Sequence, residues 1–434
     1  MTGELSRRTF AKVGASTALG LTAKQVSGAA KDANERVRLG FIGVGNRGGQ
    51  LLNAFYPQPD AEIVAVCDVD KNYLERAKKK VGGRAEAYGD FRKMLERKDI
   101  DAVVIATPDH WHAIMTILAC QADKDVYVEK PLSITVVEGR KMVEAVRKYG
   151  RVCQVGTHRR STEAYAKLAA LVQSGTIGKV TVARAYRLSN MWPTGMGKAT
   201  DSAPPAHLDW DLWLGPRPKR PYNENIAHYK FRWWKLYSSQ VANWGVHYFD
   251  AMRWVLGDKA PSSISAHGGK FAVDDDRTVP DTLESISELP AGRLYVFGQY
   301  ETSGNPALRT GEVEFRGTLG TAYSSFHGFE IIPEKGGQFQ DRKPRMEPMK
   351  VKTNDGDPTA NHARNFLDCV KSRQKCHADI EDGHRSTSFA LLVNIALATR
   401  SRLDWDAEKE RFTNSEEANK LLHYEYRKPW KLPS

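Results

Sequence analysis

The sequence predicts an α/β fold in two parts: an N-terminal doubly wound parallel sheet, then a C-terminal α+β domain with a large, mostly antiparallel open sheet. Three observations lead there. Short, continuously apolar segments alternate strictly with helical segments as far as Gly156, as in a parallel sheet covered on both faces. A glycine-rich turn follows the first apolar segment directly. Beyond Gly156 the apolar runs give way to alternating strands and a Trp- and Pro-rich stretch.

The elements follow in order. Residues 37–42 read as a strand and 50–55 as a helix. A second strand, 62–67, ends at Asp68; helices follow over 71–81 and 91–97. The strand over 102–106 is closed by Thr107 and Pro108. A helix over 112–121, a strand over 125–128, an amphipathic helix over 136–149 and a strand over 151–155 complete the series. In the second part, 180–187 and 294–300 alternate as strands, and 361–370 and 384–399 are helical. The expected domains are therefore 36–156 and 157–400, with a polar, surface-packed tail over 401–434.

Residues 1–30 read as a signal peptide. Ser6, Arg7, Arg8, Thr9, Phe10, Ala11 and Lys12 form a twin-arginine motif, followed by small apolar residues over 13–23. Small residues at 27–30 suit a signal peptidase. The apolar run is short and broken by Lys24, so export to the periplasm is expected rather than a stable membrane anchor. That route carries folded proteins, which suits an enzyme loaded with its cofactor before export.

Composition narrows the class. A chain of 434 residues, 41% of them hydrophobic, can build two cores. The net charge of +12 is spread among neighbouring acids rather than gathered on one face, which argues against a nucleic-acid partner. The five cysteines show no metal-ligand spacing, and their odd number argues against a full disulfide framework. Cys67 and Cys153 lie inside apolar strands, where a thiol acts as a small hydrophobe.

The strongest motif is Gly43-Val44-Gly45-Asn46-Arg47-Gly48, which follows a strand and opens a helix. Asp68 stands twenty residues beyond Gly48 at the end of the second strand. That context is the dinucleotide-binding fingerprint of a Rossmann domain. Gly43 permits the tight turn, Gly45 the approach of a pyrophosphate, and Gly48 close packing of helix on strand. The N-terminus of the helix that the motif opens, with Asn46 and Arg47 in the turn leading to it, offers free N–H groups to the phosphates. Asp68 would accept the adenosine ribose hydroxyls and repel a 2′-phosphate, favouring NAD over NADP. Lys71 and Arg47 stand near enough in sequence to soften that repulsion, so NADP stays open. Arg47 either reaches a phosphate or extends to solvent. Thr107 and Pro108 end a strand on the carboxyl side of the sheet, where ligands of such sheets collect.

Glu129-Lys130-Pro131 follows the strand over 125–128. A lysine held extended before proline points into the crevice beside the nicotinamide. Burial beside a cationic ring disfavours its charged form, so it can exchange a proton with a substrate hydroxyl near neutral pH. Gln154, His158, Arg159 and Arg160 lie where the chain passes between domains. They contact substrate or nicotinamide, or form an interdomain salt-bridge set. Tyr229, Phe231, Trp233, Trp234 and Tyr237 either stack on sugar rings or fill a core. His110 and His112 have no carboxylate or thiol at ligand spacing, so no metal site is expected.

Several of these segments together resemble the glucose–fructose oxidoreductase, inositol dehydrogenase and MocA family (Gfo/Idh/MocA), most of all its exported, twin-arginine branch. They are Gly43 to Gly48, the run from Ala106 to His112, Glu129-Lys130-Pro131, the run from Leu208 to Pro216, Asn243-Trp244-Gly245-Val246-His247, Phe315 to Gly320, and His362 with Asn365, Phe366 and Leu367. The resemblance covers about residues 36 to 400. It implies that Lys130 touches the reacting hydroxyl and that His247 acts as acid/base. His112 resembles the family's helix-start histidine, structural or close to the cofactor. The family often has an aspartate where Asn243 stands; an amide can orient a hydroxyl but cannot relay a proton. Asp250 either fills part of that role or packs a helix. Glu129 is expected at the cofactor, and Trp244 and Tyr229 at the substrate.

The implied activity is hydride transfer between a sugar or polyol carbon and NAD. An exported enzyme has no NADH pool to draw on, so the cofactor is expected to be held tightly and recycled. Two other readings stay open: a glycosidase working by transient oxidation, elimination, water addition and re-reduction, and a non-catalytic sugar- or NAD-binding protein. The resemblance further implies a homo-oligomer, dimer or tetramer, formed through the open sheet face.

Overall fold

Six short apolar strands make the first sheet: β1 (Val37–Ile42), β2 (Ala61–Cys67), β3 (Glu86–Tyr88), β4 (Ala102–Ile105), β5 (Asp125–Val128) and β6 (Cys153–Val155). The computed structural model describes residues 36–434; the leader expected over 1–30 lies outside them. The strand order is β3-β2-β1-β4-β5-β6, and every neighbouring pair is parallel. The order reverses between β1 and β4, so a crevice opens at their carboxyl ends, the ligand position of such sheets. Every residue of β4 and β5 is buried, as strands covered on both faces require.

Helices α1 (Asn46–Phe55), α2 (Lys71–Lys80), α3 (Phe91–Leu95), α4 (His112–Gln121) and α5 (Val136–Lys148) alternate with these strands. Asp70 caps α2 by accepting from two backbone N–H groups, and Thr135 with Glu138 forms a capping box on α5. Helix α1 starts at Asn46, four residues earlier than the apolar periodicity marked, because its first turn is polar and glycine-rich.

The second part contains α6 (Glu163–Gln173), β7 (Val180–Asn190), α7 (Trp210–Leu214), α8 (Val246–Leu256), β8 (Ser263–Gly269), β9 (Thr282–Leu289), β10 (Arg293–Tyr300), β11 (Thr302–Ser303), β12 (Val313–Gly317), β13 (Gly320–Ser325), β14 (Gly328–Pro333) and β15 (Met349–Lys352). Then come α9 (Pro358–Ser372), α10 (Ile380–Thr399), β16 (Leu403–Asp406), β17 (Arg411–Phe412) and α11 (Glu416–Lys420). The large sheet runs β15-β14-β13-β12-β7-β10-β9-β8-β16-β17, with β11 paired to β7. Only the central pair, β7 with β10, is parallel. Ala183, Ala185, Phe297 and Phe315 on one face pack with Phe249 of α8 and Phe389 of α10. Ile286, 47% exposed, lies on the other face, which no helix of the described residues covers.

Two features depart from the simple division into parts. Helix α9 packs back onto the first sheet, with Phe366 edge-on to Phe55 and Tyr127 at 6.2 and 5.8 Å. The segment 401–434, expected as a polar surface tail, is instead built in. Leu403 and Trp405 alternate with aspartates, so β16 buries both and pairs with β8. Further on, Trp430 meets Trp111 edge-on at 4.8 Å. No helix of the described residues is long and apolar enough to cross a membrane.

Candidate active site

A cavity of about 570 Å³ lies between the two parts, running from the glycine turn to His247. Its size suits a small-molecule site. At one end, Gly43 has φ +80, and any Cβ there would stand 2.8 Å from the Ala106 backbone. A Cβ on Gly48 would lie 1.9 Å from the Gly43 carbonyl, so only glycine lets α1 start this close to β1. Gly48 packs the motif and does not line the cavity, whereas Gly45, Asn46 and Arg47 do. No side chain caps the start of α1, which leaves first-turn N–H groups for phosphate oxygens. The bare Gly45 admits the Tyr73 ring, which a Cβ would meet at 2.9 Å.

Asp68 lines the cavity beyond this turn. Its two oxygens accept from Val44 N at 2.8 Å and Asp70 N at 2.9 Å, which fixes the carboxylate at the end of β2. Burial pushes its carboxyl up, and those two N–H donors hold it down in part. Arg47 does not approach Asp68: its Nε donates to Glu129 at 2.7 Å. Burial would raise the Glu129 carboxyl, but the Arg47 charge holds it below its ordinary value. An uncapped helix start, a half-buried acid at the end of β2 and an open cavity between them fit a nicotinamide dinucleotide. Thr107 and Pro108 line the same wall, but His112 does not. Its ring nitrogens face the Pro131 carbonyl at 2.8 Å and the Thr107 carbonyl at 3.0 Å, so it ties two loops together behind the cavity.

At the far end, Lys130 Nζ donates to the Asn243 carbonyl at 2.9 Å and stands 3.5 Å from its side-chain oxygen. Burial brings the Lys130 amine down to about 8, against the opposing pull of Glu129. Asn243 belongs to a π-helical turn, Val241–Gly245, that runs into α8 and so presents Asn243 and His247 to the same cavity. His247 is buried, and its Nδ1 has no hydrogen-bond partner among the described residues. Burial, then the nearby Arg159 and Lys130 charges, keep its ring well below the ordinary histidine value. His158 meets it edge-on at 5.3 Å and stacks on Phe326. The pair Lys130 and His247 can therefore hold or pass a proton at a hydroxyl placed between them.

The expected substrate contacts divide. His158, Arg159, Tyr229 and Trp244 line the cavity. Arg159 is bound to Glu312 at 2.9 and 2.7 Å, and Tyr229 sits at the rim, 47% exposed. Gln154 and Arg160 do not reach it. The Gln154 amide is fully buried and donates to the His362 carbonyl at 2.7 Å. Arg160 Nε lies 2.9 Å from both Asp250 oxygens, and Asp250 also accepts from Ser386 at 2.7 Å. Asp250 therefore packs α8 and offers nothing to His247. Of the aromatic run, Tyr229 and Phe231 line the cavity, while Trp233, Trp234 and Tyr237 fill a core beside it. Among the described residues no three His, Cys, Asp or Glu side chains gather as metal ligands.

Sequence reasoning missed Tyr73, Asp109, His228, Arg232 and Phe326, all of which line the cavity. Asp109 carried a signal inside the run from Ala106 to His112, and Arg232 as a cation inside the aromatic run.

A family profile described as "Oxidoreductase family, NAD-binding Rossmann fold" matches residues 37–157. Its partner, "Oxidoreductase family, C-terminal alpha/beta domain", matches residues 162–285 and 331–432. The chain belongs to the Gfo/Idh/MocA family. The expected fold class and NAD cofactor hold with it. A curated relative, the "Glycosyl hydrolase family 109 protein" of Saccharopolyspora erythraea, is 38% identical over 138 residues, 30% of each chain. The "Inositol 2-dehydrogenase" of Salmonella typhimurium is 32% identical over 145 residues, 33% of this chain and 43% of that one. The chain thus spans less than half the length of these curated relatives. A solved levoglucosan dehydrogenase, in complex with NADH and levoglucosan, shares the fold. Its TM-score is 0.64 at 19% identity, over 85% of this chain and 99% of that one.

Proposed function

We propose that this member of the Gfo/Idh/MocA family transfers hydride between a carbon of a sugar or polyol and a tightly held NAD. The observation that carries the reading is that half-buried Lys130 and buried His247 line one cavity, which is continuous with the glycine turn. Bound NAD supplies the hydride acceptor. Lys130 holds the substrate hydroxyl and, as a neutral amine, takes its proton; the neutral His247 ring is the second proton partner. The Asn243 carbonyl and amide orient Lys130, and the two parts closing over the cavity exclude water.

Tight retention is supported by a clasp over the Asp68 end. Lys71 N donates to the His207 carbonyl at 2.9 Å, Asp209 N to Val69 at 3.0 Å, and His228 Nε2 lies 2.8 Å from Asp70. Such retention suits export by the leader expected over 1–30. Association into a dimer or tetramer is proposed through the uncovered sheet face around Ile286; light scattering at the mass of a monomer would remove that part.

The family 109 relative favours a second reading, a glycosidase in which oxidation is transient and no NADH accumulates. Incubation with p-nitrophenyl glycosides separates the two. Phenol release without NADH supports the glycosidase; NADH formation from the free sugar supports the dehydrogenase.

A further inference from the structure

Two guanidinium groups at the Lys130 end make no ion pair among the described residues. Arg232 lines the cavity, lies over the Tyr229 ring at 4.0 Å and donates to its hydroxyl at 3.2 Å. Arg187, from β7, does not itself line the cavity; it lies over the ring of Trp244, which does, at 4.0 Å, with Nη1 3.5 Å from the Leu188 carbonyl. The Nε of each is buried and has no acceptor among the described residues. The neighbouring cavity arginines differ: Arg47 is bound to Glu129 and Arg159 to Glu312. Asp109, whose charge Arg232 feels, is occupied by the Ser238 hydroxyl, and burial pushes its carboxyl up.

A half-buried guanidinium held only by a neutral hydroxyl or carbonyl keeps unmet charge, and an anion brought by a ligand meets it through charge-assisted hydrogen bonds. The position of this unmet charge decides which ligand. Arg232 acts on the titration of Lys130, and Arg187 stacks on the residue next to Asn243, so both belong to the reacting end and not to the start of α1.

We propose that Arg232, with the charge of Arg187 behind the Trp244 ring supporting it, binds an anionic group of the substrate, which is therefore an acidic sugar or polyol carrying a carboxylate or a phosphate ester. This inference rests on the sugar or polyol reading of the site, and it adds the charge of the substrate and two specificity-determining residues.

Isothermal titration of the NAD-loaded protein with D-glucuronate, D-glucose 6-phosphate and D-glucose tests it without requiring turnover. At least one acid binds about tenfold tighter than glucose, and the tighter of the two identifies the anion. In Arg187→Gln and Arg232→Gln that preference falls about tenfold, and Arg232→Lys retains part of it. Glucose binding as tightly as both acids, or binding of none of the three, overturns the proposal. So does a loss of bound NAD in the variants that matches the loss of acid affinity, which would assign the arginines to the pyrophosphate. A protein that prefers an acid yet reduces no cofactor would instead sink the dehydrogenase reading alone.

Discussion

Lys130, at the end of the first part's β5, donates its ε-amine to the Asn243 carbonyl of the second part at 2.9 Å. The residue expected to touch the reacting hydroxyl thus also bridges the domains, and its environment sets when it can accept a proton. Burial lowers its amine to about 8. The neutral base is scarce below that value and dominant above it. In the direction of alcohol oxidation, kcat/KM should rise through about pH 8 and then level off. In the direction of reduction, which needs the ammonium as donor, it should fall over the same range. A pH–rate profile of the NAD-loaded protein in both directions checks this. A flat profile from pH 6 to 10 would remove Lys130 from proton transfer.

Asn243 offers a sharper test, because its side-chain oxygen stands 3.5 Å from Lys130 Nζ. Asn243→Asp places a negative charge there, which favours the ammonium. The oxidation inflection should move upward by about one unit. An unmoved inflection would show that Asn243 does not set the lysine's titration.

Asp250 has a structural task. Its carboxylate neutralises Arg160, whose side chain is 7% exposed, and accepts from Ser386. Removing one partner leaves an uncompensated buried charge, so Asp250→Ala should lose about 3–5 kcal/mol of stability in denaturant unfolding. A loss below about 1 kcal/mol would contradict that role.

Much of the first part was legible because its signals are local. Gly43 to Gly48, Asp68 and Lys130 each stand at a strand end, and strand ends show as breaks in apolar runs. The second part reads less well. Asp250 and Arg160 lie ninety residues apart, and nothing near either in sequence shows that they pair. The same holds for Gln154, whose partner is the His362 carbonyl. Residues 401–434 looked polar because β16 buries only alternate side chains. Tyr73 and His228 share no motif, and only the fold brings their rings to 4.6 Å.

That contact between Tyr73 and His228 belongs to the clasp over the Asp68 end, where His228 also holds Asp70 at 2.8 Å. His228→Ala should loosen the clasp and speed release of bound NADH about tenfold. Displacement of NADH by excess NAD, followed by fluorescence, measures the rate. An unchanged rate would mean that retention lies elsewhere.

The most direct test of the proton-handling site is to mix the NAD-loaded protein, and its Lys130→Met variant, with a panel of neutral and acidic sugars and polyols, recording the near-ultraviolet band of reduced nicotinamide. Wild type should develop that band with at least one compound, and Lys130→Met should develop it about 10²–10⁴ times more slowly with its nucleotide still bound. Equal rates in the two proteins, or no reduction by any compound in wild type, would contradict redox chemistry at Lys130.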